Sequence, residues 1–272
     1  MSEINAAMVK ALREATGVGM MECKKALVEC EGDADKARDL LRIRSGAKAD
    51  KVSGRTATEG RIAVGVANGV GVLVEVNCET DFVARDDNFS AFCAALAEAV
   101  AAQGQSDDIA AVTMSDGRSA EEARQQLVMK MGENVNFGRV LILSGSSAKG
   151  HYIHTGDKIA AMVEYENGDE SLARDICMHI AALRPQYLSP HDVADEDVAK
   201  EREIFAAQAA ASDKPPAVIE KMISGKLNKH FAEYTLLRQH FVKDGDKTVE
   251  EVLSAAGMRL HNFRLLIVGA AD

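Results

Sequence analysis

Five cysteines, seven histidines and 42 acidic side chains are the groups through which this 272-residue chain could do chemistry. Cys23, Cys30, Cys78, Cys93 and Cys177 are odd in number and widely spaced, and no CxxC pair or His/Cys cluster offers zinc its ligands. They read as reduced thiols. Cys23 and Cys30 lie seven apart on one predicted helix, where small buried hydrophobes would share a face. Cys78, in the string NCETD, is the one candidate nucleophile. No base stands beside it, and neighbouring carboxylates raise a thiol's pKa and make it less reactive. A phosphate-cradling GxxxxGK[ST] loop is absent. No bound metal or cofactor is indicated.

The more informative residues are Phe82 and Val83, set between acids in NCETDFVARDDN. Two stretches of the chain partly repeat, each with β-rich runs followed by an apolar helix. Aligning Glu75 (in VLVEV) with Glu164 (in AMVEY) brings Phe92-Cys93 and Leu96 onto Ile176-Cys177 and Ile180. The strand-to-helix interval is then 17 residues in the first unit and 12 in the second, so the first carries an insertion at this loop. Two readings stand side by side. The loop is a capped helix start with its aromatic tucked inward, or it presents an exposed apolar prong.

The elements that must position this loop follow from periodicity. Residues 1 to about 46 read as three short helices, carrying Met8, Val9 and Leu12, then Met20, Cys23, Ala26 and Leu27, then Ala37, Leu40 and Leu41. Thr16-Gly17-Val18-Gly19 separates the first two, and Gly32-Asp33 ends the second while offering Asp33 as a cap for the third. SGAKADKVSGRTATEG, without a clear apolar stripe, is expected to be a linker or a weakly packed helical connection. RIAVGVANGVGVLVEVN holds two strands around Asn68-Gly69, a pair suited to a tight hairpin. Helices are expected at FSAFCAALAEAVAA and AEEARQQLVMKM, and RVLILSG is expected to be a strand. HYIHTGDKIAAMVEYEN reads as a second hairpin and SLARDICMHIAAL as a second packed helix, on which His179 is expected to be structural. DEDVAKEREIFAAQAAA and PAVIEKMISGKLNKHFAEYTL form an αα-hairpin broken at SDKPP, each arm roughly 25 Å long. Val198, Ile204 and Phe205 on one arm and Ile219, Met222, Ile223, Leu227 and Phe231 on the other either seal the arms together or serve a partner. KTVEEVLSAAGMRLHNFRLLIVGAAD reads as a short helix and a closing strand. The fold class is α+β, with antiparallel sheets.

At 272 residues and ~150 residues per domain, the chain has about two domains' worth of core. The division expected is a three-helix module over 1–50, a first core subdomain over 51–145, and a second over 146–272 with the hairpin inserted at 190–237. A formal net charge of −10, aromatics at 4% and the absence of Trp disfavour a nucleic-acid binder, which needs clustered cations and stacking rings. No apolar run approaches the ~18 residues of a membrane span. The N-terminus, MSEINAAMVKALREATG, lacks the basic start and apolar core of a secretory signal, so the expected location is the cytoplasm.

Several strings together resemble the bacterial translation elongation factor Ts family. They are MVKALREATGVGMMECKKAL with ECEGDADKARDLLR, VEVNCETDFVARDDNF, MGENVNFGRV, HYIHTGDKIAAMVEY and FVKDGDKTVEEVL, and the likeness runs from Ile4 to Val268. The resemblance implies a ubiquitin-associated (UBA)-like three-helix module, a two-subdomain α+β core and a projecting helical hairpin, or coiled coil. It implies a guanine-nucleotide exchange factor rather than an enzyme with covalent chemistry. The implied partner is elongation factor Tu (EF-Tu), in its GDP-bound and nucleotide-free states, with no direct nucleic acid and no membrane. Pairing of two such heterodimers through the hairpin is left open. Thr80, Asp81, Phe82 and Val83 match the family loop that enters the partner's GTPase domain beside Mg²⁺, Asp81 competing for backbone donors or capping the turn that presents the ring. Met20, Met21 and Lys24 match partner-facing positions, and since two adjacent Met cannot both face inward, one is expected to reach the partner. Met131-Gly132 match a core contact, although an apolar residue before Gly is also an ordinary helix end. His154 matches an interface position and is otherwise a polar hairpin residue. Some members continue past the final strand with another helix, whereas this chain stops at Asp272. The resemblance then implies greater reliance on residues 1–50 and the TDFVA loop for holding the partner.

Overall fold

The computed structural model describes residues 4–104, 108–209 and 215–270. The chain folds as two units: residues 1–146 with 153–160 and 266–272, and residues 147–152 with 161–265. The fold is mixed α+β.

In the first unit, helices α1 (Ala6–Thr16), α2 (Met20–Glu29) and α3 (Ala34–Val52) each begin and end on a local signal. Asn5 accepts the Met8 amide at the start of α1, and Gly17 ends it in the left-handed region at φ 68°. Asp33 caps α3 by accepting the Asp35 and Lys36 amides, each at 3.1 Å. Val9, Leu12, Val18, Cys23, Ala26, Leu27, Ala37 and Leu41 form the core these helices share.

Of the two readings of the stretch 45–60, linker or helical connection, the helical one holds for its first half, which is packed helix. α3 runs on to Val52 because its buried positions beyond Leu41 are Ser45, Ala49 and Val52, small residues that let a neighbouring helix approach without forming an apolar stripe. Ser45 returns its hydroxyl to the Leu41 carbonyl, and Lys48 donates to the Met129 carbonyl at 2.9 Å. A cut after residue 50 would thus pass through a packed helix.

Strands β1 (Glu59–Ala67) and β2 (Val70–Cys78) form a hairpin whose two turn residues, Asn68 and Gly69, sit at φ 52° and 77°, the double positive φ of a type I′ turn. A single helical turn, α4 (Asp81–Ala84), leads into α5 (Asp87–Gln103); α6 (Ala120–Met131) and β3 (Val135–Ser144) follow. The sheet order is β1-β2-β3, antiparallel throughout, with β2 central. α5 lies against it with Phe89, Phe92, Cys93, Leu96, Ala97 and Val100 facing the strands. The approach is closest at Gly65, where an added Cβ would stand 2.1 Å from the Ala97 carbonyl oxygen.

In the second unit, β4 (Ala148–Ile153) and β5 (Ile159–Glu166) make the second hairpin, and α7 (Glu170–Leu183) packs on it through Ile176, Cys177 and Ile180. α8 (Asp195–Ala209) and α9 (Pro216–Tyr234) are the arms of the helical hairpin, sealed by Phe205, Ala206, Ala209, Ile219, Ile223, Leu227 and Phe231. Of the residues expected either to seal the arms or to serve a partner, Ile204 faces outward at 41% exposure, because Phe205 takes the inward position next to it. The expected turn residues Ser212, Asp213 and Lys214, and the end of the first arm at Ala210 and Ala211, lie outside the described residues. A small ribbon that periodicity does not indicate follows, β6 (His240–Phe241) with β7 (Asp244–Thr248). α10 (Val249–Ala255) and β8 (Arg259–Ile267) then complete the order β4-β5-β8. His179 is fully buried and structural. Its Nδ1 accepts the Val242 amide, which fixes the proton on Nε2 for donation to Gln239 Oε1 at 2.9 Å, and burial pushes its pKa down.

The internal repeat extends to polar detail. Glu75 on β2 and Glu164 on β5, the central strands of their sheets, each pair with a cation from an adjacent strand: Arg139 at 2.9 Å and Lys149 at 3.1 Å. Cys93 and Cys177 occupy corresponding buried places on α5 and α7.

Replacing Gly65 by Ala forces its methyl into the Ala97 backbone, which no rotamer relieves. We expect Gly65→Ala to cost roughly 2 kcal/mol or more of stability, read as a lowered urea midpoint.

Candidate functional site

The β2–β3 ladder ends at the Cys78–Val135 pair, and the loop carrying the prong begins there. Past that pair, two side chains take over the role of the missing ladder bonds. Glu133 Oε2 accepts the Thr80 backbone amide at 3.1 Å, and its Oε1 accepts the Thr80 hydroxyl at 2.7 Å. In return, Glu79 Oε1 accepts the Asn134 backbone amide at 2.6 Å. The fully buried Asn134 side chain donates to the carbonyls of Ser53 and Arg55, at 3.2 and 2.8 Å, tying the segment after α3 to the same point. In the sequence the Gly132-Glu133-Asn134 string serves only as a family marker. The signal for its structural part is a carboxylate immediately before a strand start, opposite a loop in need of acceptors.

Thr80 is also the N-cap of α4, its hydroxyl oxygen accepting the Val83 amide at 3.4 Å. Asp86 caps α5, accepting the Asn88 amide at 2.7 Å. α4 is therefore one turn held between two caps. Successive residues of a helix point about 100° apart, so when Val83 and Ala84 enter the core, the residue before them is turned away. Phe82 is 84% exposed. Of the two readings of the loop, the aromatic tucked inward does not hold: the loop is a capped helix start, but Val83 is the residue tucked inward and Phe82 is the exposed prong. Asp81 does not cap the turn, since Thr80 does; it occupies the first helical position, where a negative charge suits the helix dipole, and pairs with Arg85 at 3.1 Å. That exposed pair contributes little.

Met131 closes α6 half-buried against the first core, and Gly132 caps it at φ 79° with its amide on the Val128 carbonyl. They adjoin the loop through the next residue, Glu133. Met20 and Met21, in the first turn of α2, are 55% and 65% exposed, so both methionines face outward, and Lys24 is exposed one turn on. Val28 is exposed on the same helix, at the i+4 and i+8 positions from Lys24 and Met20; that spacing could have revealed it. His154 is exposed in the turn between β4 and β5, where its amide donates to the Ile159 carbonyl and its carbonyl accepts from Asp157.

Cys78 is buried, and its thiol donates to the Thr80 carbonyl at 3.2 Å. Its pKa is pushed up to about 12, first by burial and then by the charges of Glu133 and Glu59. The carboxylates that act on it are thus not the flanking pair suggested by NCETD. A thiol held protonated in this way is no nucleophile at neutral pH. Among the described residues, no helix is long and apolar enough to cross a membrane, and no group of three or more His, Cys, Asp or Glu could hold a metal ion.

The family described as Elongation factor TS matches residues 79–270 of this chain. Similar proteins include the Elongation factor Ts of Nitrosospira multiformis, 48% identical over 276 residues that cover 99% of this chain and 91% of that protein. That of Nitrosomonas eutropha is 48% identical over 273 residues, covering 99% and 92%. That of Arthrospira platensis is 50% identical over 248 residues, covering 90% and 100%.

Burial also raises the pKa of Cys93 and Cys177. A thiol whose pKa is raised on folding supports the fold fully below its unfolded value and loses that support as pH climbs toward the folded value. We therefore expect the unfolding free energy to fall between about pH 7.5 and 9.5 by about 1 kcal/mol per buried thiol, read as a lowered urea midpoint. Over the same range iodoacetamide should label the half-buried Cys30 well before Cys78, Cys93 or Cys177.

Proposed function

The chain belongs to the elongation factor Ts family, a family of translation factors, and from that membership we propose that it is a guanine-nucleotide exchange factor for elongation factor Tu. In this reading it binds the GDP-bound GTPase, displaces Mg²⁺ and accelerates GDP release, then holds the nucleotide-free form until GTP enters. The observation that carries the proposal is Phe82, an aromatic ring 84% exposed on a turn whose neighbours are buried, capped and bonded from a second segment.

The physics of such a wedge follows from the metal. Mg²⁺ bridging nucleotide phosphates and protein oxygens demands near-ideal octahedral geometry, so a small displacement of its ligands weakens the whole site. A rigid ring that buries ~150 Å² or more can spread the elements carrying those ligands. With the metal lost, the phosphates are under-neutralised. Linkage makes the effect mutual: if the factor weakens GDP binding, GDP weakens the factor's binding equally, so a newly bound nucleotide expels the factor. A 10⁴-fold faster release requires about 5.4 kcal/mol off the release barrier. The outward face of α2, with Met20, Met21, Lys24 and Val28, supplies a second contact of adaptable side chains around a cation. Met131, Gly132 and His154 are further candidate contacts. Of these, half-buried Met131 acts by packing beside the loop rather than as an exposed anchor.

Stopped-flow release of fluorescent GDP from elongation factor Tu with Mg²⁺ present tests this. The parent should accelerate release strongly. Phe82→Ala should lose at least about tenfold of that acceleration, with stability changed by no more than ~0.5 kcal/mol because the ring packs on little of its own protein. Binding without acceleration by the parent would instead mark a scaffold and end the exchange reading.

A further inference from the structure

We infer that Glu133 is a positioning residue for exchange: its carboxylate, bound to the Thr80 amide and hydroxyl, fixes the direction of the Phe82 ring and thereby sets how far the partner's nucleotide site is disturbed rather than how tightly the partner is held. The inference rests on the exchange reading above and deepens it.

The argument begins from what α4 cannot do for itself. Four residues make one turn, and a single helical turn does not stand alone, because fixing its dihedrals costs more than its few hydrogen bonds return. Its internal supports are few: the Ala84 amide on the Thr80 carbonyl and the Arg85 amide on the Asp81 carbonyl, each at 3.2 Å, a cap bond at 3.4 Å and the exposed Asp81–Arg85 pair. Val83 and Ala84 anchor the C-terminal half by burial, whereas the entry at half-buried Thr80 has no apolar anchor. The entry is held from outside. Glu133 accepts two bonds from Thr80, two residues before the ring, and the reverse bond from Asn134 to Glu79 closes the pair of segments on one another. Glu133 itself follows the Gly132 cap of α6 and precedes the first residues of β3, so its carboxylate hangs from two rigid elements. Charge-assisted bonds of this kind are the stronger class, and a carboxylate at this site satisfies an amide and a hydroxyl together. The Cys78 thiol on the Thr80 carbonyl leaves Thr80 held on its amide, hydroxyl and carbonyl.

A prong swinging about its base can still find its socket, but it delivers the ring at variable depth. Loss of Glu133 should therefore lower the maximal rate while changing half-saturation much less, as expected when an interaction is felt in the distorted state and not in simple binding. Glu133→Gln keeps one acceptor oxygen and an amide that can donate to the Thr80 oxygen, so it should restore much of the effect. Glu133→Asp, one methylene shorter, should not.

The test combines GDP-release kinetics at saturating factor with amide hydrogen exchange of the free protein, for Glu133→Ala, Glu133→Gln, Glu133→Asp, Phe82→Ala and the double variant Glu133→Ala with Phe82→Ala. In Glu133→Ala, exchange of the Thr80 and Val83 amides should quicken at least about tenfold while α5 and β2 amides hold theirs, and maximal GDP-release acceleration should fall about tenfold with half-saturation within about threefold. Adding Glu133→Ala to Phe82→Ala should cost nothing further, because the carboxylate acts through the ring. Unchanged loop protection, additive losses in the double variant, or a loss confined to half-saturation would each overturn the inference. If Glu133→Ala proves unfolded by its urea transition, the Gln and Asp variants decide: Asp low and Gln near parent upholds the inference, and equal rates overturn it. If the parent itself fails to accelerate GDP release, the exchange reading fails and this inference falls with it; loosened loop amides in Glu133→Ala would then identify the failure as that of the exchange reading and not of the strap.

Discussion

The constraint on which the loop depends is the end of a β-ladder inside the first unit. A strand that leaves its sheet carries amides that must find acceptors, since a partly buried unpaired donor costs about as much as a lost hydrogen bond. Here two carboxylates, Glu79 and Glu133, stand in for the next rung, each accepting the other segment's amide. The exchange prolongs the pairing of β2 and β3 beyond Cys78–Val135 without prolonging the strands. Because the bonds come from side chains, the backbone is free to turn at once into α4, and an aromatic ring emerges within four residues of the sheet.

The two units show how one plan serves two purposes. Both place a carboxylate on the central strand, buried at Glu75 and half-buried at Glu164, paired with a neighbouring-strand cation, and both lay a helix with a buried cysteine across the sheet. A buried ion pair contributes little to stability when set against apolar residues of the same volume, but it penalises any shift of register that would part its members. Glu75, which also accepts the Asn77 side-chain amide and the Gly269 backbone amide, is the more heavily used of the two. Onto this shared frame the first unit adds the insertion and the second adds the hairpin of α8 and α9.

Much of this was legible in the residues. Asn68-Gly69, Asp33 and Gly132 are local signals whose conformation depends on few neighbours, and the strands and long helices carry their period openly. The insertion was legible as a difference in spacing, and Phe82 as an anomaly within it. The direction of Phe82 was not, because a four-residue turn has no period to read; it depends on the packing of Val83 and Ala84 and on the hold of Glu133 on Thr80. The continuation of α3 was one of two readings left open, and its packing was hidden because its contact face is built from Ser45, Ala49 and Val52, which form no apolar stripe. The outward turn of Ile204 and the role of Glu133 depend on neighbours far along the chain, which a single pass along the residues does not bring together.

A ring left in water is a liability as well as a tool, since exposed aromatics promote association with any apolar surface that passes. Glu79, Asp81, Asp86 and Asp87 surround Phe82 in sequence, on a chain whose formal charge is −10. Two copies of the loop therefore repel before their rings can meet, and the same repulsion turns away other acidic surfaces. The acids beside the prong thus act as a filter on its company, and they do so from a distance, before any contact is made.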